Sequence, residues 1–368
     1  MRASRFLLLL FALCLPLASR AGEPPPAVAD HVLLLAMDGV RWQEVFSGAS
    51  ADLLRSEEGG ARDAKATEAR FVRPTPQEAR EALMPFLWKT VALQGQVFGD
   101  PSRGSTARAT NGTNVSYPGY NEMLTGAPDP RSTNNDKVRN PNVSVLEWLN
   151  GRPGFAGRVE AVASWELFPF ILDVQRSKLP VSADAVPFPT PANDRQRALN
   201  EAATGLPSPF RRARLDEVTR QAALETLRER QPRVLFVGLN DADEWGHKRR
   251  YDLYLDAVAR SDAFARELWE AAQALPEYRG RTSLVIVTDH GRGADPTHWT
   301  DHNKKVQPAD AVWMAVLGPR TPALGVREKE PATLSQVAAT VAALVGEDWR
   351  SAAPKAAGPL PVLAPPRQ

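Results

Sequence analysis

Beyond an apolar stretch at residues 6–17, the chain alternates between short continuous apolar runs and longer segments whose apolar residues recur at helical spacing. The runs are residues 31–37 (HVLLLAM), 233–240 (RVLFVGLN), 283–288 (SLVIVT) and 311–317 (AVWMAVL), with a weaker one at 159–164. A run without polar alternation suits a strand whose sheet is covered on both faces. Residues 77–93, 214–230 and 333–344 predict helices. The clearest pattern covers 251–275, where Tyr254, Leu255, Val258, Phe264 and Leu268 share a face. Apolar strands separated by amphipathic helices predict an α/β protein, a three-layer α/β/α sandwich around a mainly parallel central sheet. Residues 168–212, rich in Pro, Asp, Asn and Ala, read as a cap or insertion and not as a sheet component. An Ala/Pro-rich tail, residues 351–368, is expected to be extended or disordered, which leaves 22–350 as one domain.

The 368 residues are 43% apolar and 24% charged, enough for one large core or two modest ones. Arg2 and Arg5, the apolar stretch and Ser19-Arg20-Ala21 read as a signal peptide over residues 1–21, cleaved after Ala21. The stretch is shorter than the ~20 residues that span a bilayer, and no later segment is long and apolar enough. Export to the periplasm or medium is therefore expected, with no membrane span after cleavage. Removing the leader takes the formal charge from +2 to −1, so nothing marks an electrostatic nucleic-acid binder. The one cysteine, Cys14, lies in the leader, which excludes a cysteine nucleophile, thiolate metal sites and disulfides from the mature chain. Lipidation there is not expected, since Phe11-Ala12-Leu13 lacks a small residue beside it.

Three runs end in aspartate: HVLLLAM leads into Asp38, RVLFVGLN into Asp241 and Asp243, and SLVIVT into Asp289-His290. In a parallel sheet the strand C-termini share one edge, where ligands bind. Carboxylates gathered there cost several kcal/mol unless a cation compensates them. Each aspartate taken singly also suits a helix N-cap. Four of the five histidines (His247, His290, His298 and His302) lie near these aspartates or just after the last one, and only His31 opens a strand, as a packing or surface residue. Asp243 and His247 are four apart and share a helical face; His298 and His302 repeat that spacing, with His302 favoured as the ligand. Imidazole and carboxylate without thiolate suit zinc, with manganese or magnesium where oxygen ligands dominate.

Between the first and second carboxylates, residues 109–130 read ATNGTNVSYPGYNEMLTGAPDP. Ser116 stands just before a short helical pattern stopped by Gly126. It either caps that helix or, with a divalent cation to depress its pKa, acts as a nucleophile. Asp38-Gly39, Ser116-Tyr117-Pro118-Gly119-Tyr120 with Leu124-Thr125-Gly126, Asp243-x-x-Gly246-His247 and Asp289-His290-Gly291 occur in this order. They resemble the ordered metal and nucleophile motifs of the alkaline phosphatase superfamily. The branch most similar is the type I phosphodiesterase and nucleotide pyrophosphatase group.

The resemblance spans 32–317 and implies two metal ions. Asp38, Ser116, Asp289 and His290 would hold the ion that activates the nucleophile; Asp243, His247 and His302 would hold the other. It also implies that Asn135, with Asn134 adjacent, contacts a phosphoryl oxygen. A small phosphate ester, a diester or a monoester, would then be hydrolysed through a phosphoserine. The chain departs from that branch at Ser116, where Thr is usual, at Gly119-Tyr120, where Asn-His is usual, and in the closeness of the last histidine to the Asp-His pair. A sulfatase would need Arg where Tyr120 stands. A phosphomutase or a binding protein that has lost chemistry are the other readings. Residues 168–212 with Trp42 and Phe46 are the expected specificity elements, and the glycosylation tripeptides at Asn111 and Asn114 are expected to be unmodified.

Overall fold

The computed structural model describes residues 29–183 and 185–363, so the leader and Cys14 lie outside the described residues. In chain order the strands are β1 (His31–Met37), β2 (Gln96–Phe98), β3 (Ala107–Arg108), β4 (Val159–Ala163), β5 (Val181–Ser182), β6 (Val234–Leu239), β7 (Thr282–Val287), β8 (Ala311–Val312), β9 (Met314–Leu317), β10 (Gly325–Val326) and β11 (Ala332–Thr333). Eight form one sheet, ordered β10-β2-β9-β7-β1-β6-β4-β5, and β11-β3-β8 form a small second one. Within the large sheet β9 runs against both neighbours and the remaining pairs are parallel.

The continuous apolar runs have a direct cause. Val32, Leu34 and Ala36 of β1 face one core, with Phe236 and Val285; Leu33, Leu35 and Met37 face the other, with Leu235 and Ile286. Helices Ser116–Thr125 and Gln336–Leu344 cover the first core, and Asp216–Arg230 and Tyr251–Ala274 the second. Each buried aliphatic side chain contributes about 1.5–3 kcal/mol, so neither face of β1 tolerates a polar residue. The α/β/α sandwich is as the pattern predicts.

Four details differ from the sequence reading. The helix predicted over 77–93 is interrupted: Pro76–Leu83 ends before Pro85, and a π-helical turn, Leu87–Val91, follows. The run 311–317 divides at Trp313, whose indole donates to Val40 O at 2.9 Å, between β8 and β9. Residues 168–212 do join the sheet, because Val181 and Ser182 pair with Ala161 and Val162 at its edge. Two paired residues are too few to leave a periodic signal. The tail is packed as far as it is described: Leu360 and Val362 are 3% and 1% exposed in the first core, and Leu360 N donates to Thr340 Oγ1 at 2.9 Å. Its Ala/Pro composition hid two large apolar anchors.

Candidate metal centre

Sheet register brings the site together. β1 lies between β6 and β7, and its pairing of Met37 with Leu239 and Ala36 with Val287 sets the three C-termini level. Asp38 therefore stands beside Asp289, while the chain leaving β6 enters the helix Asp241–His247. Gly39 turns the chain with φ +65°, and a Cβ there would sit 2.6 Å from Asp243 Oδ1, so glycine alone permits this approach. Its N–H donates to Asp289 Oδ1 at 3.2 Å. Ser116 is the first residue of its helix, and Gly119 one turn on lets that helix seat on β7's exit, since a Cβ would lie 2.7 Å from Asp289 O.

Two ligand groups result. Asp38, Asp289 and His290 form the first: His290 Nε2 lies 3.3 Å from Asp38 Oδ1 and 3.4 Å from Asp289 Oδ2. Asp243 and His302 form the second with the shared His290, and His247 adjoins it: His247 Nε2 is 3.2 Å from Asp243 Oδ2 and 3.0 Å from His302 Nε2. The groups adjoin, with His290 Nε2 3.8 Å from Asp243 Oδ1. Ser116 Oγ is 3.2 Å from His290 Nε2.

The donor set fits divalent cations. Asp38 Oδ1 and Asp289 Oδ2 are buried with no hydrogen-bond partner, a costly state for carboxylate oxygens, and both face the same imidazole nitrogen. His290 Nδ1 lies 2.9 Å from Gly291 O, and His302 Nδ1 2.8 Å from Asn114 O. A carbonyl can only accept, so each Nδ1 carries the proton and each Nε2 lone pair points into the centre. Burial, then the charge of Asp243, pushes the Asp38 carboxyl well above its ordinary range. Burial, then Asp38, does the same to Asp289. Burial also raises Asp243, but His247 and Arg292 outweigh it and hold that carboxyl well below its usual value. Burial pushes His302 well below the ordinary histidine value, keeping it neutral and able to ligate. Two strained carboxyls beside neutral imidazoles are what a bound cation would relieve.

The remaining sequence candidates divide. Asn135 accepts from Tyr117 N at 2.8 Å and borders a cleft of about 210 Å³ with Ser116, His247 and His302. Asn134 instead accepts from Asp136 N and does not border it. His298 is exposed and paired with Asp295, whereas His302 is buried in the centre. Asp241 turns away: it accepts from Asp216 N at 3.0 Å, and burial followed by Asp216 pushes its carboxyl up to about 8. It borders a larger cavity, about 470 Å³, that contains none of the candidate ligands. His31 stacks on Tyr278 at 3.7 Å, a packing role. Phe46 is buried against Trp88, and neither it nor Trp42 borders the cleft; Trp165, Arg211 and Arg212 stand there instead.

Sequence reasoning missed two neighbours of the centre. Tyr120 donates to Asp38 Oδ2 at 3.0 Å; its place four residues after Ser116, on the same helical face, was the available signal. Arg292, fully buried behind Asp243, gave none beyond its closeness to His290.

Residues 179–348 match the model of the Metalloenzyme superfamily. No curated protein matches the sequence. Among solved structures, a mutant of alkaline phosphatase PafA superposes with a TM-score of 0.57 at 10% identity, covering 92% of this chain and 99% of that one. Lipoteichoic acid synthase LtaP from Listeria monocytogenes gives 0.52 at 11%, covering 88% and 73%. Ps i-CgsB in complex with k-i-k-neocarrahexaose gives 0.52 at 13%, covering 90% and 75%. These likenesses are of fold, and the neighbours' chemistries differ. The chain thus has an alkaline phosphatase-like fold, its residues 179–348 match the Metalloenzyme superfamily, and that fold places two groups of candidate metal-binding side chains at one sheet edge.

Proposed function

We propose that this protein is an exported hydrolase that cleaves small phosphate esters through a phosphoserine on Ser116. The observation that carries the reading is the hydroxyl's position: Ser116 Oγ opens a helix and lies 3.2 Å from His290 Nε2, beside the bare oxygens of Asp38 and Asp289. Divalent ions, zinc by the donor set, held by Asp38, Asp289 and His290 and by Asp243, His247 and His302 would lower the hydroxyl's pKa and neutralise the leaving oxygen. Ser116 Oγ then bonds to phosphorus as the ester oxygen departs, and water cleaves the phosphoserine to restore the hydroxyl. Asn135 has its carbonyl oxygen occupied by Tyr117 N, so its amide nitrogen is the end left to donate to a phosphoryl oxygen. Arg211 and Arg212 add positive charge at the cleft.

Phosphate is favoured over sulfate because the sulfatase arginine is replaced by Tyr120, whose hydroxyl is committed to Asp38. The ordered motifs favour the phosphodiesterase and nucleotide pyrophosphatase branch, and the basic, apolar leader favours the periplasm or medium as the site of action. Purified protein should carry two divalent ions and hydrolyse aryl phosphate mono- or diesters. Ser116→Ala should lose at least about 10³-fold in turnover while retaining its ions. Turnover of aryl sulfates alone, or an unchanged rate in Ser116→Ala, would overturn the reading.

A further inference from the structure

Arg292 belongs to neither ligand group, yet it is 0% exposed at the edge of both. A guanidinium so deep is costly unless its donors are used. Two are. Nη2 donates to the Asp243 carboxylate and, at 2.7 Å, to the Asp243 backbone carbonyl. Nη1 donates to Thr300 O, two residues before His302. One planar fork thus joins the helix that bears Asp243 and His247 to the loop that bears His302.

Gly246 gives independent evidence that this seat is built. Its backbone has no left-handed φ that would call for glycine. A Cβ there would instead lie 2.8 Å from Arg292 Cζ and 3.0 Å from Nε. The glycine next to His247 therefore makes room for the guanidinium.

We infer that Arg292 is a positioning residue: it fixes the Asp243 carboxylate and docks the His302 loop, so that the second ligand group is assembled through it. Asp243 Oδ1, gripped by Arg292, lies 3.7 Å from His302 Nε2, while Oδ2 lies 3.2 Å from His247 Nε2. Without the fork the carboxylate can rotate and the loop loses its tie at Thr300. The first group keeps its own supports, Tyr120 on Asp38 and Gly39 N on Asp289. The fork's geometry is needed as well as its charge, because a lysine ammonium is a point charge without a planar pair of donors.

This inference rests on the two-ion reading, and zinc binding, not turnover, separates the two. Zinc is titrated into metal-free wild type, Arg292→Met, Arg292→Lys and Gly246→Ala, with equivalents bound and affinity for each read by calorimetry and elemental analysis. Wild type should take two equivalents. Each variant should keep the first, while affinity for the second falls by roughly 10–100-fold, the usual effect of removing a ligand's supporting partner. Gly246→Ala tests the seat without removing the charge, and Arg292→Lys tests geometry against charge. Two tight equivalents in Arg292→Met would overturn the inference, as would wild-type behaviour in Arg292→Lys. Equal weakening of both ions, or loss of the folded state in all three variants, would make Arg292 a general packing residue and overturn it too. Absence of zinc from the wild type would instead defeat the metal reading itself.

Discussion

The two ligand groups are built by different means. Asp38, Asp289 and His290 leave adjacent central strands, and their side chains are 0–1% exposed. Their positions follow from sheet register, which the pairing of β1 with β6 and β7 and the two cores enforce on the strands before any ligand arrives. Asp243, His247 and His302 come from a short helix and a loop, and the His247 side chain is 43% exposed. Their arrangement depends on single contacts: Asn114 O on His302, Arg292 on Asp243, and His302 stacked on His290 at 3.7 Å. A preformed site and a site finished by side-chain contacts should respond differently to damage.

The largest test of that difference uses Asp289→Asn and His247→Ala. Asp289→Asn should remove the ion nearest Ser116 and lower turnover by on the order of 10³-fold, several kcal/mol of lost charge stabilisation. His247→Ala should weaken the other ion alone and cost about 10–100-fold, partly recovered with added zinc. Metal analysis and aryl phosphate kinetics on both variants read the outcome. Equal losses would erase the distinction between the groups.

The same contrast governs what could be read from the chain. The first group was legible because continuous apolar runs announce covered parallel strands, and the residues after them must lie at one edge. β6 shows where that logic stops. It delivers Asp241 and Asp243 to the edge alike, but only Asp243 faces the centre, since reciprocal bonds between Asp241 and Asp216 turn the other away. The spacing of Asp243 and His247 could be read as helical. The burial of Arg292 could not, because nothing in a sequence distinguishes a buried arginine from an exposed one. The tail failed for the opposite reason: composition averages over residues, and two anchors, Leu360 and Val362, decide its packing.

A second test is the pH dependence of stability in metal-free protein. Asp38 and Asp289 have raised carboxyl pKa values, through burial first. The folded state therefore binds more protons than the unfolded chain between about pH 4 and those raised values. Stability is then gained on acidification and lost as pH rises through that window, by about 1.4 kcal/mol per pH unit for each group titrating. Asp262, pushed up to about 7 by burial, adds the same sign from outside the centre. The second group acts oppositely. His302 is lowered, so its contribution is lost as pH falls below the unfolded value near 6.5. Melting in chelator should thus show stability falling as pH rises from about 4, with the slope reduced in Asp38→Asn. In His302→Ala the protein should keep gaining stability below pH 6.5. A slope unchanged in both variants would detach the centre's carboxylates and imidazole from the stability profile.

The smallest expected effect is the most discriminating about the loop. His298 and His302 share a four-residue spacing with one another, and both follow the Asp-His pair closely. Their surroundings separate them completely. His298 Nδ1 pairs with Asp295 at 2.9 Å in solvent, where such a pair contributes little. His302 is buried, its Nδ1 proton given to Asn114 O and its Nε2 aimed at Asp243. His298→Ala should therefore leave zinc stoichiometry, turnover and melting temperature unchanged within error, while His302→Ala loses the second ion. Because the two substitutions delete the same side chain four positions apart, a loss of zinc in His298→Ala would mean that the loop binds metal in a register other than the one its contacts support.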